Sequence, residues 1–309
     1  MSKKIIIDCD PGIDDALALA LAHGSRAVDL VGVTTVAGNV GLPRTTDNAL
    51  RLADFYGIAA PVARGADRPL MRPPRTAGHV HGETGLGAAQ LPDPAREPVA
   101  EHAVDFLIES LAQQPGEISL IAVGPLTNIA LALRKEPRIA EWAREFVVMG
   151  GSSTRGNITP AAEFNVHADP EAAAMAFGAD WRAVMAGLDL THQAQLSAPV
   201  RRRFAGLGRL EEELLAPCLD VYEQHVDYRE GPVIHDACAV AYAIAPEIFR
   251  ADPAAVRVET RGEHTSGMTV VDFAAAQPDA DVLTTLDTDA FWDLVADALH
   301  RVAERLPQV

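Results

Sequence analysis

The sequence predicts an α/β fold: an open, mostly parallel, Rossmann-like sheet with helices on both faces and the active site at the strand carboxyl ends. Three observations carry this reading. Short apolar runs alternate along the chain with Ala/Leu-rich segments of helical period. The apolar runs lack the polar alternation of a strand with one face in water, so both faces need covering. Finally, four aspartates crowd the point where the first apolar run ends, which is where an open α/β sheet places its ligands.

The elements follow in order. Residues 4–8 read as a buried strand, Asp14 to His23 as an Ala/Leu-rich helix, and 31–36 as a second strand, which together make a β-α-β unit. The pattern returns with a strand at 118–123, a helix at 128–134, and strands at 146–149 and 183–185, with further helices downstream. The stretch from Arg64 to Glu97 is rich in Pro, Gly and Arg and has little periodicity, so it reads as an extended surface loop. Within it, Gly78 to Gly87 places glycines around a polar centre, as a mobile lid or an ordinary glycine-rich loop would. No repeat or clear linker interrupts the chain, and residues 1–309 are expected to form one domain.

The composition narrows the partners. The chain carries 43 Asp+Glu against 26 Lys+Arg, a formal charge of -17, which argues against a nucleic acid polymer or an anionic membrane. Three scattered cysteines, Cys9, Cys218 and Cys238, suit neither a disulfide framework nor a thiolate zinc site and fit a reducing compartment. Lys3 and Lys4 are not followed by an apolar core long enough for a signal peptide, and no run reaches the length of a membrane span. A soluble, cytoplasmic protein is expected.

The segment Asp8-Cys9-Asp10-Pro11-Gly12-Ile13-Asp14-Asp15 needs a chemical explanation. A carboxylate near a helix start satisfies free amides and the positive dipole end, which accounts for one or both of Asp14 and Asp15. It does not account for Asp10 as well, because like charges so close raise one another's pKa unless a cation compensates. Several aspartates without a Cys/His pair suit a hard divalent cation, calcium or magnesium, although the spacing is not that of an EF-hand loop. A rival reading takes Asp8 and Asp10 as the Asp-x-Asp of a dehalogenase-like phosphohydrolase. Pro11-Gly12-Ile13-Asp14-Asp15 is not the continuation expected there.

The run Asp8 to Ala16 closely resembles the signature of the inosine-uridine-preferring nucleoside hydrolases, which cleave the N-glycosidic bond of ribonucleosides. Further blocks agree in order: Thr34 to Asn39, His79-Val80-His81-Gly82-Glu83, Gly124-Pro125-Leu126-Thr127-Asn128, Met149-Gly150-Gly151, Ala162-Glu163-Phe164-Asn165 and His235-Asp236. The resemblance spans Lys4 to about Trp292. It implies an open α/β fold with Ca2+ in a deep pocket, held by Asp10, Asp15, the Val123 carbonyl and Asp236. Three aspartates around a dication leave a charge near -1, and an all-oxygen set matches a hard ion better than zinc.

Such a reaction passes through an oxocarbenium-like sugar, so the site must hold sugar hydroxyls, deliver water and neutralise the departing base. Asp10 is the candidate general base on water held at the cation. By resemblance, the ribose contacts fall on Asp14, Asn39, Asn157, Glu163, Asn165 and Asp236, with Met149 in the ribose pocket and His81 approaching the nucleoside. Taken singly, Asn157 and Asn39 read as turn residues rather than ligand contacts, and Met149 as core. Glu163 and Asn165 flank Phe164 with the spacing that puts both on one face of an extended segment and the ring opposite. His235 is the candidate leaving-group acid, since imidazole titrates near neutrality.

Tyr222, His225 and Tyr228, on a helical-looking segment, are candidates for the base. The His235-Asp236 pair favours broad inosine/uridine specificity, since none of Trp142, Trp181 and Trp292 sits in a motif suggesting base stacking. Attack by water with inversion, a ribonucleoside partner and a homodimer or homotetramer are what the family implies. A non-catalytic nucleoside-binding protein on the same scaffold is the alternative from another class.

Overall fold

Strand β1, Lys3–Cys9, shows why the sheet is covered on both sides: Ile5 and Ile7 pack into one hydrophobic cluster and Ile6 into the other. Full burial of each isoleucine contributes about 1.5–3 kcal/mol, and period-2 geometry divides the gain between the faces. The computed structural model describes residues 2–225 and 231–306. Within them the further strands are β2 Val28–Thr35, β3 Val62–Arg64, β4 Ile118–Ala122, β5 Glu145–Met149, β6 Ala183–Ala186, β7 Phe249–Val258, β8 Thr269–Asp272 and β9 Ala280–Leu286. They form a nine-stranded sheet in the order β3-β2-β1-β4-β5-β6-β9-β7-β8. Every pairing from β3 to β9 is parallel, and β7 is antiparallel to both β9 and β8.

The order fixes where a ligand can sit. The chain moves outward from β1 to β2 and β3, then returns to lay β4 against the opposite edge of β1. A crevice opens at the carboxyl ends where the direction reverses. Asp10 follows β1 and Val123 follows β4, with the Val123 N–H donating to the Asp8 carbonyl at 2.8 Å.

The helix Ile13–Gly24 starts at that crevice. Gly12 is its N-cap, and Asp15 reaches back to accept the Gly12 N–H at 2.8 Å, which is the half of a capping box that a glycine cap allows. All of its residues except His23 are buried, which matches its Ala/Leu composition. The capping explanation therefore holds for Asp15 and leaves Asp10 unexplained.

Two sequence expectations change. The 64–97 stretch is not purely a surface loop: Gly78–His81 is a short helix, and Ala77, His81, Leu86 and Leu91 are buried. Its few apolar residues pin it down, while Asn48 Nδ2 holds the Thr84 carbonyl at 2.8 Å. The second change concerns Glu163 and Asn165, which do not lie on an extended segment. Glu163 is the N-cap of the helix Phe164–Ala168 and Asn165 lies inside it. Strand-like alternation and the first turn of a helix both bring polar side chains two apart, so local spacing did not separate them. Strands β3, β7, β8 and β9 carried no expectation at all; β7 and β8 are half-exposed, and Pro253 lies within β7.

Candidate active site

The crevice holds a cavity of about 480 Å³. Eleven residues singled out in the sequence line it: Asp14, Asn39, His81, Val123, Met149, Asn157, Glu163, Asn165, Tyr222, His235 and Asp236. Asp10 and Asp15 are fully buried and do not line it directly.

Asp10 sits between two strand ends. Its Oδ2 accepts the Asn39 N–H at 2.6 Å, and its Oδ1 is buried with no hydrogen-bond partner among the described residues. The neighbouring backbone comes so close that a Cβ on Gly38 would lie 2.0 Å from Oδ2 and one on Gly124 2.5 Å from Oδ1. Both glycines are therefore needed for Asp10 to fit. Asp15 accepts from the Asp10 N–H at 3.2 Å and from Asn39 Nδ2 at 3.1 Å. Asn39 thus ties the two acids together from β2's carboxyl end.

Asp236 opens the helix Asp236–Ile244, and Asp14 lies in the first turn of Ile13–Gly24. Two helix N-termini, each a partial positive pole, thereby meet at the acids. Asp14, Asp15 and Asp236 each offer an oxygen, and these lie within 4.8 Å of one another. The trio that converges thus includes Asp14, which the resemblance gave to the sugar. Asp10 joins the cluster through its N–H to Asp15 and by charge.

Burial first, then the neighbouring acids, pushes these carboxyls up. Asp14 rises to about 7 through burial and Asp15, with backbone N–H groups of its own and of His235 and Asp236 pulling it back. Asp15 is raised to about 6 by burial, against several hydrogen bonds. Asp10 and Asp236 go well above the ordinary range, again through burial and then through their acidic neighbours. Among the described residues no Lys or Arg forms an ion pair with any of the four. An orphaned buried oxygen, an all-oxygen donor set and clustered acids without a protein cation fit a hard dication.

The same shifts set a sign for stability. Each acid holds its proton to a higher pH in the folded chain than in the unfolded one, where 3.8 is ordinary. The metal-free protein therefore loses stability as pH climbs from about 4 through about 7. In chelator, the melting temperature is expected to be lower at pH 8 than at pH 5, with a shallower fall in Asp14→Asn. Equal slopes in the two proteins would remove the acids as the cause.

Two histidines face the cavity with defined nitrogens. His81 Nδ1 accepts the Ile13 N–H at 3.1 Å, so its neutral ring carries the proton on Nε2. Burial, then His79, pushes His81 down to about 3. Its ring stacks on Tyr222 at 5.9 Å between centroids, which brings that base candidate to the cavity. The His225 side chain and Tyr228 lie outside the described residues. His235 Nδ1 meets the Thr191 hydroxyl at 2.8 Å, and burial followed by His192 and His81 pushes His235 down to about 3.

On the other side of the crevice, Glu163 accepts N–H groups from Gly151 at 2.9 Å, Asn165 at 2.8 Å and Val166 at 3.1 Å. Asn165 Nδ2 donates to the Val123 carbonyl at 2.9 Å and to the Met149 carbonyl at 3.2 Å, which joins the ends of β4 and β5. Asn157 is exposed, and its Oδ1 accepts the Phe164 N–H at 2.9 Å, so it serves as a turn anchor at the cavity wall. Phe164 lines the cavity as well, contrary to the expectation that its ring turns away. His192, Arg155 and His79 also line it and were not anticipated. For His192 one signal existed: it follows closely on β6, at a strand carboxyl end.

Comparison with known proteins agrees with this geometry. A sequence profile of the family described as inosine-uridine preferring nucleoside hydrolase matches residues 5–293. The chain is 43% identical to the inosine-uridine preferring nucleoside hydrolase of Crithidia fasciculata, over 98% of this chain and 99% of that one. It is 44% identical to the non-specific ribonucleoside hydrolase RihC of Salmonella enteritidis PT4, over 96% and 97%. Among solved structures, the purine-preferring ribonucleoside hydrolase from Gardnerella vaginalis superimposes with a TM-score of 0.92 at 30% identity, covering 98% of this chain and 99% of that one. With the signature aspartates at the switch point of the sheet and likeness along nearly its whole length, the chain belongs to the inosine-uridine preferring nucleoside hydrolase family of enzymes.

Proposed function

We propose that the chain is a calcium-dependent hydrolase that cleaves the N-glycosidic bond of ribonucleosides of the inosine and uridine type, releasing ribose and free base. The observation that carries this reading is the convergence of buried Asp14, Asp15 and Asp236, without a protein cation among the described residues, at a cavity also lined by His235. Asp10, Asp15, the Val123 carbonyl and Asp236 would hold the ion, which when bound supplies positive charge that polarises the sugar diol and acidifies water. Asp14, Asn39, Asn157, Glu163, Asn165 and Asp236 hold and orient the sugar hydroxyls, with Met149 against the ring and His81 beside the nucleoside. The three N–H groups on Glu163 fix its carboxylate before substrate arrives.

Asp10 is the base. Its unpartnered Oδ1 takes the proton of the attacking water as the water oxygen bonds to the anomeric carbon. The C–N bond breaks on the opposite side, its electron pair leaves with the base, and configuration inverts. His235 returns a proton to the ring nitrogen. In the free cavity the imidazole stays neutral; the negative charge growing on the departing base draws its pKa up, the ring takes a proton from solvent and passes one to the base, and it ends neutral again. The same reading takes the protein as a cytoplasmic homodimer or homotetramer acting on a small ribonucleoside; the acidic net charge supports that choice over a polynucleotide.

Reducing-sugar release from inosine and uridine tests the activity itself. His235→Ala is expected to lose roughly 10²- to 10⁴-fold in kcat on both nucleosides, the range for removing a positioned acid. It should retain cleavage of nitrophenyl riboside, whose leaving group needs no proton. An equal loss on all three substrates would contradict the acid role.

A further inference from the structure

His235 is held from behind by a residue that no sequence motif singles out. Thr191 ends the short helix Leu188–Thr191, just past β6, and is fully buried. Its hydroxyl lies 2.8 Å from His235 Nδ1 and makes no other hydrogen bond among the described residues. The two backbones are fastened together next to this contact: the Ile234 N–H donates to the Ala194 carbonyl at 3.1 Å, and the Leu196 N–H to the Pro232 carbonyl at 2.8 Å. A short antiparallel bridge between Gln195 and Val233 completes the clamp. The distance between Thr191 and His235 is thus set by main-chain bonds.

We infer that Thr191 is a positioning residue that holds His235 in the tautomer with its proton on Nε2 and keeps that nitrogen turned to the cavity. The inference rests on His235 being the leaving-group acid. A buried hydroxyl hydrogen without an acceptor is costly, and Nδ1 is the acceptor at hand, so in the neutral ring Thr191 donates to Nδ1 and the ring proton resides on Nε2. When the ring takes a second proton from solvent, Nδ1–H donates to the same hydroxyl oxygen; once Nε2–H has passed to the base the ring is neutral again, and exchange with solvent restores its resting tautomer. The contact survives both states, so the ring needs no reorientation as Nε2 gives up its proton to the base. A bare ring would rotate about its side-chain torsions and offer either nitrogen, and part of the population would be unproductive.

Thr191→Val keeps the shape of the side chain and removes the hydroxyl, whereas Thr191→Ser keeps the hydroxyl. On inosine, Thr191→Val is expected to lower kcat about 10- to 100-fold, typical of losing the partner that orients a functional histidine, with KM nearly unchanged. On nitrophenyl riboside it should cost nothing, and Thr191→Ser should regain most of the rate. In a His235→Ala background, Thr191→Val should have no further effect on inosine. A loss shared by both substrates, or repeated in that background, would overturn the inference. Should His235→Ala alone lose both substrates alike, with Thr191 intact, the acid reading falls and this inference with it. Nitrogen-15 spectra of the parent imidazoles, assigned by the signal missing in His235→Ala, give a reading that depends on no Thr191 variant. A protonated Nε2 and a bare Nδ1 are expected, and the reverse pattern would refute the assignment.

Discussion

Asp10→Asn is expected to lower kcat on inosine and uridine by about 10²- to 10⁴-fold, the range seen when a positioned general base is removed. Asparagine is close to isosteric and its amide oxygen still accepts the Asn39 N–H, so the crowded pocket between Gly38 and Gly124 is not refilled with a new shape. What changes is the second oxygen, which has no partner among the described residues and is replaced by an amide nitrogen that cannot take a proton. The metal-free protein should not be destabilised by the change. Burial and the neighbouring Asp15 already disfavour charge at this position, and the substitution removes that charge. The two readouts together separate a chemical role from a structural one: turnover falls while the melting temperature in chelator holds or rises. Near-native turnover in Asp10→Asn would end the assignment of the base.

Exhaustive chelation is expected to abolish turnover, and calcium to restore it. Binding to the folded chain alone also stabilises it, by about 2.7 kcal/mol at 100 times the dissociation constant, so the melting temperature at pH 8 should climb with added calcium. The climb should be steepest there, because at pH 8 Asp14 and Asp15, raised to about 7 and about 6, have lost the protons that otherwise relieve their repulsion. Asp236→Ala removes one member of the converging trio and should flatten the response. Full turnover after chelation would refute metal dependence. Restoration by magnesium as good as by calcium would refute the choice of ion, since magnesium demands a tighter octahedron and gives up its waters reluctantly.

Five of the seven parallel strands, β1, β2, β4, β5 and β6, were legible because they are written locally, whereas β3 and β9 were not read. Ile5, Ile6 and Ile7 announce a strand buried on both faces, and Asp14 and Asp15 followed by Ala/Leu repeats announce a helix beginning just beyond it. The antiparallel β7 and β8 were silent: their residues alternate irregularly between buried and exposed, and periodicity cannot register a strand that has no consistent face. Glu163 and Asn165 illustrate a different limit. Both reach the cavity, but from a helix cap rather than a strand, because a two-residue spacing is compatible with either backbone and only packing chooses.

By itself the sequence determined which chemistry is available and at which end of the sheet it gathers, since a strand, a tight Pro11-Gly12 turn and a helix start leave Asp8 to Asp15 little freedom. Tertiary structure decided who meets whom. It set Asp236 beside Asp14 and Asp15, the Asn39 amide against Asp10, the Ile13 N–H on His81 and the Thr191 hydroxyl on His235. The physical reason is that side-chain periodicity encodes the face a residue occupies, whereas partners distant along the chain are fixed by strand order and by the crossovers between strands. Those follow from the packing of the whole core, which no local stretch of sequence contains.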